Sequence, residues 1–277
     1  MHKLSLVSFA LDILVDDIKL SSATGFLYRV ENTVYLVSNW HVFSGRNTYT
    51  GQPIHHSAAI PNKFTFSLKN TQNGWIVGNS ISLYDNNHRA IWLQHAKGQQ
   101  YDLAAIPVLY CTEGSDWSRI SPAAKIVDPS NSFFNWNSSS DQSLNAVIQP
   151  GMDLSIVGHP NGIAKQEGLP IWKRASIASE PELEADGLPI ILVDTATRGG
   201  MSGSPVYQVF LGSVPDKNGG VTFYTGGGGL LCEFVGVYSG RYGAEDELAA
   251  QIGRVWKKSA LDEMLANPVS GSYELKA

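Results

Sequence analysis

Arg198-Gly199-Gly200-Met201-Ser202-Gly203-Ser204-Pro205-Val206-Tyr207 is the stretch on which the reading of this chain turns. A serine set among glycines, then a proline and an apolar run, describes a backbone that holds one hydroxyl out of a tight turn before entering a strand. Ser202 is therefore the candidate nucleophile. Acyl transfer also needs backbone N–H groups aimed at the developing oxyanion, and a turn supplies them only where side chains do not crowd the reacting carbonyl. Gly200 and Ser202 are the candidate donors. Small residues of this kind also build ordinary loops, so the two readings are separated by what the rest of the chain contains.

Two companions lie upstream. Residues 24–30 and 33–38 read as a hairpin joined by Glu31-Asn32, and the second strand runs out at Asn39-Trp40-His41-Val42. His41 is the candidate base. At Tyr101-Asp102-Leu103-Ala104-Ala105-Ile106-Pro107-Val108 a carboxylate opens an apolar strand, where it must find a partner or stay wet. Asp102 is the candidate partner of the histidine, and the order His, Asp, Ser is that of the chymotrypsin-type enzymes.

The resemblance sharpens at the nucleophile. Gly200-Met201-Ser202-Gly203-Ser204-Pro205-Val206 resembles the Gly-Asn-Ser-Gly-Ser-Pro-Val signature of the glutamyl endopeptidase and HtrA-type branches of the trypsin-like serine proteases. The longer run from Leu169 through Pro181 to the serine is similar to bacterial trypsin-like peptidase domain proteins, and the likeness extends from about Thr24 to about Ala266. It implies an all-β fold of two six-stranded antiparallel β-barrels with a C-terminal α-helix. Residues 1–118 would form the barrel carrying His41 and Asp102, 119–144 the linker, and 145–277 the barrel carrying Ser202 and ending in the helix. Composition agrees, with aromatic and β-branched runs separated by Gly, Asn, Ser and Pro. Ile252, Trp256, Ala260 and Met264 share one helical face, with Leu261 and Leu265 beside it and Asn267-Pro268 as the stop.

What the resemblance implies chemically is a serine endopeptidase acting on polypeptides. Its substrate pocket would be walled by Ala196, Thr197 and Arg198 on one side and by Val237, Tyr238, Ser239 and Arg241 on the other. Ala196 matches the pocket aspartate of trypsin, which argues against a preference for Lys or Arg. Thr197 matches a residue of glutamyl endopeptidases, whose pocket histidine is matched by Tyr238, so that preference is half supported. A small or medium apolar residue is the expectation. Met201 replaces the residue that pairs with a new N-terminus in digestive relatives, so activity independent of N-terminal trimming is expected, with ordering of Gly199-Gly200 by substrate or by a regulatory protein partner as the alternative control. The competing class is a latent or dead protease-fold module that holds peptides without cutting them. An esterase is disfavoured by the β-rich sequence on both sides of Ser202.

Among 277 residues only 16% are charged and the formal net charge is -5, which gives no reason to expect nucleic acid or an anionic membrane as partner. Two cysteines, Cys111 and Cys232, are too few for a disulfide framework, and nothing around them suggests a metal or another cofactor. Asp12, Asp16 and Asp17 break up the apolar N-terminal run, so it reads as the first strand rather than a signal peptide, and a cytoplasmic location is expected. His55 and His56 read as loop residues, His95 and His159 as structural ones. The aromatics Phe133, Phe134 and Trp136 are expected to pin down the linker.

Overall fold

The computed structural model describes residues 2–70, 74–77, 80–111, 117–119, 137–138, 144, 146–162, 168–196, 198–223, 230–242 and 251–271. The N-terminal half holds β1 (Ser8–Val15), β2 (Ile18–Val30), β3 (Thr33–Ser38), β4 (Lys63–Asn70), β5 (Gly74–Val77), β6 (Ile81–Ser82), β7 (Leu93–Gln94), β8 (Ala104–Cys111), β9 (Trp117–Arg119) and β10 (Asn137–Ser138). The C-terminal half holds β11 (Asp153–Gly158), β12 (Ile171–Ile177), β13 (Ile190–Asp194), β14 (Pro205–Leu211), β15 (Ser213–Pro215), β16 (Val221–Phe223), β17 (Leu230–Arg241), β18 (Ile252–Lys257) and β19 (Val269–Ser270). Two short helices complete the fold, α1 (Trp40–Ser44) and α2 (Lys258–Ala266).

The second half closes into a barrel in the order β11-β12-β13-β18-β17-β14. The first half is a sheet in the order β19-β7-β8-β3-β2-β1-β4-β5, curved into a half-barrel. The plan is that of a chymotrypsin-like fold. Among the described residues the sheet of the first half is open, and two of its strands are short. Between residues 81 and 94 the chain spends its polar groups on a turn, where the Asp85 carboxylate accepts from the Asn87 and Arg89 amides, each at 2.8 Å. Strands of two residues, β6 and β7, are what remains.

Period-two alternation divides the apolar residues between two layers. On β8, Ala104, Ile106 and Val108 face the first core with Leu11, Leu36, Phe43 and Trp92. Ala105, on the opposite face, joins Phe26, Tyr28, Val37, Val237 and Trp256 in a continuous apolar seam between the halves. Leu154, Ile156, Val193, Val206 and Val255 fill the closed barrel. Each large side chain so buried contributes about 1.5–3 kcal/mol, so the two halves are held as one body.

One expectation is corrected. Ile252 and Trp256 lie on strand β18, and the helix begins only at Lys258. The buried residues of α2, Ala260, Leu261, Met264 and Leu265, enter the seam. The chain then crosses over, and β19 pairs with β7 of the first half. Ahead of β11, Ala146 forms an isolated bridge with Asp216. Phe133, Phe134 and Trp136 lie outside the described residues.

Candidate active site

Strand pairing places the histidine and the aspartate. Ser38 is opposite Ala104 in the β3–β8 ladder, so the residues just beyond the end of one strand lie alongside those just before the start of the other. The Asn39 side chain donates to the Asp102 carbonyl at 2.8 Å. His41 follows in the first turn of α1, which ends where Gly45 adopts φ 66°. Nδ1 of His41 is 2.7 Å from Oδ2 of Asp102, and the His41 backbone N–H donates to Oδ1 at 2.9 Å.

Asp102 is 1% exposed. Burial pushes its carboxyl up, but the charge and hydrogen bond of His41, the charge of Arg254 and the His41 amide together outweigh burial and hold it below the usual carboxylate range. The aspartate is thus an anion whose lone pairs are committed to one histidine. Such a partner fixes the proton on Nδ1 and leaves Nε2 free to accept.

The serine turn hangs between the halves. Gly203 has φ 83°, and a methyl group there would lie 2.1 Å from the Thr24 carbonyl oxygen and 2.3 Å from Ser38 Oγ. The Gly203 amide donates to Tyr238 O and the Tyr238 amide to Ser204 O, both at 2.9 Å, which ties the turn to β17. From the other side the Thr24 amide donates to Ser202 O at 2.8 Å. Ser204 Oγ donates to Met201 O at 2.6 Å, so this second hydroxyl is spent inside the turn.

The carbonyls that precede the two candidate amides are both tied back. Gly199 O accepts from Asn161 N at 2.6 Å, and Met201 O accepts from the Ser204 amide at 3.1 Å as well as from its hydroxyl. No peptide here is cis, and in a trans peptide the C=O and N–H point in opposite directions. The Gly200 and Ser202 N–H groups therefore point away from those anchors, and neither has a hydrogen-bond partner among the described residues. Gly200 itself has φ 92°, and a methyl group on it would stand 2.5 Å from His159 O.

His41, Gly199, Gly200 and Ser202 line one cavity of about 410 Å³. The predicted pocket residues lie elsewhere. Ala196 and Arg198 are exposed on the loop after β13, and Arg241 is exposed at the end of β17. Val237 has its side chain in the seam, Tyr238 has its ring inside the closed barrel, and Ser239 is 3% exposed. None of these lines that cavity, and Thr197 lies outside the described residues. Gly240 is nearer the nucleophile: a methyl group on it would lie 3.8 Å from Ser202 Oγ. Met201 is fully buried in the barrel core.

Residues 23–214, a span that includes His41, Asp102 and Ser202, match the Trypsin-like peptidase domain. The chain belongs to this family. Among solved structures the trypsin-like peptidase domain described here is similar to Rv3671c from M. tuberculosis H37Rv in an inactive form, at 14% identity and a TM-score of 0.44, with 95% of this chain and 86% of that one covered. A second structure of the Rv3671c protease in its inactive form gives 15% identity, a TM-score of 0.44 and coverage of 95% and 89%. The serine endoprotease from Yersinia pestis gives 11% identity and a TM-score of 0.48, with 96% of this chain and 66% of that one covered. No curated protein matches the sequence.

Sequence reasoning passed over two residues of this trypsin-like peptidase domain. Thr24 donates from Oγ1 to Gly200 O at 2.8 Å and accepts from the His159 amide at 3.0 Å, so one hydroxyl joins the first half to the loop before the serine. Its only signal was a position at the start of the Thr24-Gly25-Phe26 run. Arg254, 8% exposed, projects from β18 and donates from Nη1 to Tyr49 Oη at 2.6 Å, with its guanidinium 5.1 Å from the Tyr49 ring. A charge inside Ile-Gly-Arg-Val-Trp was the clue, obscured by the helical reading. His159, 1% exposed, is held by burial at a pKa of about 4 and is therefore neutral. His95 is also structural: it stacks on Tyr101 at 3.8 Å and its Nε2 lies 3.3 Å from Glu263.

Proposed function

We propose that this trypsin-like peptidase is a serine endopeptidase in which Ser202 attacks the peptide carbonyl, His41 takes and returns the proton, and Asp102 holds the imidazole. The observation that carries the reading is that His41 and Ser202 border one cavity while Asp102 engages His41 from behind at Nδ1. The chemistry is balanced by this chain alone. Ser202 Oγ bonds to the carbonyl carbon as its proton passes to His41 Nε2, the C–N bond breaks as that proton goes to the leaving amine, and water then repeats the sequence on the ester.

The Gly200 and Ser202 amides receive the oxyanion. Losing even one donor of this kind costs about 100–1,000-fold in rate. The anchoring of Gly199 O and Gly200 O by Asn161 and Thr24 supports a site assembled without a regulatory partner. Buried, apolar Met201 supports activity that needs no N-terminal cleavage, since it offers no carboxylate for a new amine.

Labelling by a fluorophosphonate tests the reading. Wild-type protein should be modified at Ser202, while Ser202→Ala and His41→Ala should not. A peptide-library digest with the same three proteins then separates an endopeptidase from a peptide-holding module, because only the former yields new termini. Full turnover by Ser202→Ala would sink the assignment.

A further inference from the structure

Among the described residues, the cavity beside the nucleophile draws its side-chain walls chiefly from the first half. Its apolar lining runs from Ile13 of β1 and Leu20 and Ala23 of β2 to Val42 of α1 and Ile54, Ala59 and Pro61 of the loop that follows α1, all in the first half. Among the described residues the second half contributes Gly199, Gly200 and Ser202, and none of β17 lines it. Ser202 therefore stands on a divide. On one side is β17, with Gly240 beside its hydroxyl; on the other is the cavity, with His41 in its wall.

A peptide bond at Ser202 has its two chains leaving in opposite directions. The acyl chain would run along the backbone of β17, by strand addition. The amine must leave past the group that protonates it, which is His41. The cavity is then where the chain on the leaving-group side goes.

Its floor is preformed: Ile13 and Ala23, which line it, also belong to the core of the first half. A volume of about 410 Å³ is that of a small-molecule pocket rather than of a crevice for a glycine or alanine. Ile54 stands at the rim with 54% of its surface exposed, among Ser21, Ser22, His55 and His56. An apolar floor with a polar rim fits a substrate side chain that enters from water and leaves its backbone outside.

We propose that this cavity binds the residue immediately following the scissile bond and selects a large apolar side chain there, leucine, isoleucine, methionine or phenylalanine. The proposal rests on the serine peptidase reading, and it places a determinant of specificity after the cleaved bond. In reverse, the amine of such a residue, bound in the cavity, attacks the Ser202 ester. Its C–N bond forms as the C–O bond to Ser202 breaks, His41 takes the amine's proton and Oγ regains one.

Acyl transfer reads this directly. The protein is acylated with a peptide ester, and the ester intermediate is partitioned between water and added glycinamide, leucinamide or phenylalaninamide. Leucinamide and phenylalaninamide should capture the acyl group roughly ten-fold better than glycinamide, the discrimination an apolar pocket gives for a few methylenes. Ile54→Asp, at the exposed rim, and Ala59→Trp, which fills the cavity, should each abolish that ratio. Equal capture of all three amides, or a ratio that survives both substitutions, overturns the proposal. Calorimetry on Ser202→Ala with Leu-headed and Gly-headed peptides separates the two layers of the argument. Leu-selective binding by Ser202→Ala, beside wild-type protein that never acylates, keeps the cavity and sinks the peptidase, whereas wild-type acylation without selectivity sinks the cavity alone.

Discussion

Asp102 grips His41 at two points, its Oδ2 2.7 Å from the ring Nδ1 and its Oδ1 accepting the His41 backbone N–H at 2.9 Å. The ring and the chain that carries it are thus fixed by one buried carboxylate. Replacing it by an amide keeps the volume but lets the imidazole adopt the wrong tautomer. Asp102→Asn should lower kcat by about 10^4-fold. Steady-state kinetics at neutral pH, with circular dichroism to confirm that the fold survives, would check it; a loss below ten-fold would mean that Asp102 is not the orienting group.

Thr24 is expected to matter for rate without touching substrate. Thr24→Val keeps the shape but strands Gly200 O and the His159 amide, each of which costs about 1–3 kcal/mol when buried without a partner. The Gly199-Gly200 segment then loses its anchor to the first half. We expect kcat to fall ten-fold or more, roughly the lower end of what a missing oxyanion donor costs. Thr24→Ser, which keeps the hydroxyl, should restore it. If Thr24→Val loses stability but not kcat, the contact is structural only.

The buried neutral His159 makes stability fall in mild acid. Its pKa is about 4 in the folded chain and 6.5 as a free side chain, so between those values the unfolded state takes up a proton that the native state refuses. Its contribution is fully present above pH 6.5 and is lost as pH falls toward 4, roughly 3 kcal/mol in all. Urea unfolding at several pH values across this window should show that slope, and His159→Phe should flatten it. Equal slopes in the two proteins would place the acid sensitivity elsewhere.

Gly203 is expected to tolerate no side chain. A methyl group would meet the Thr24 carbonyl and Ser38 Oγ well inside van der Waals contact, and φ 83° is itself strained for alanine. Gly203→Ala should cost about 3 kcal/mol or more, visible as a lowered thermal midpoint together with lost fluorophosphonate labelling. A variant with wild-type melting would contradict the close approach of the two halves at this turn.

Much of the second half was legible because its strands alternate in burial. The apolar, β-branched runs at Ile171–Ile177 and Ile190–Asp194 are β12 and β13. The misreading of 252–257 has a simple cause: Ile252 and Trp256 are four apart, a spacing that one face of a helix and one face of a strand both satisfy. Pairing with β13 on one side and β17 on the other makes the segment a strand, from which Arg254 reaches Tyr49.

By itself the sequence determined which residues carry reactive groups and which turns present them, because glycines, a proline and strand exits are local signals. Tertiary structure alone decided what surrounds those groups. Thr24 reaches Gly200 across 176 positions, and the cavity beside Ser202 joins a hairpin, a short helix and a loop with the glycine turn. Contacts of that kind follow from how the two β-layers seat against each other, and no local pattern encodes the direction in which their concave sides face.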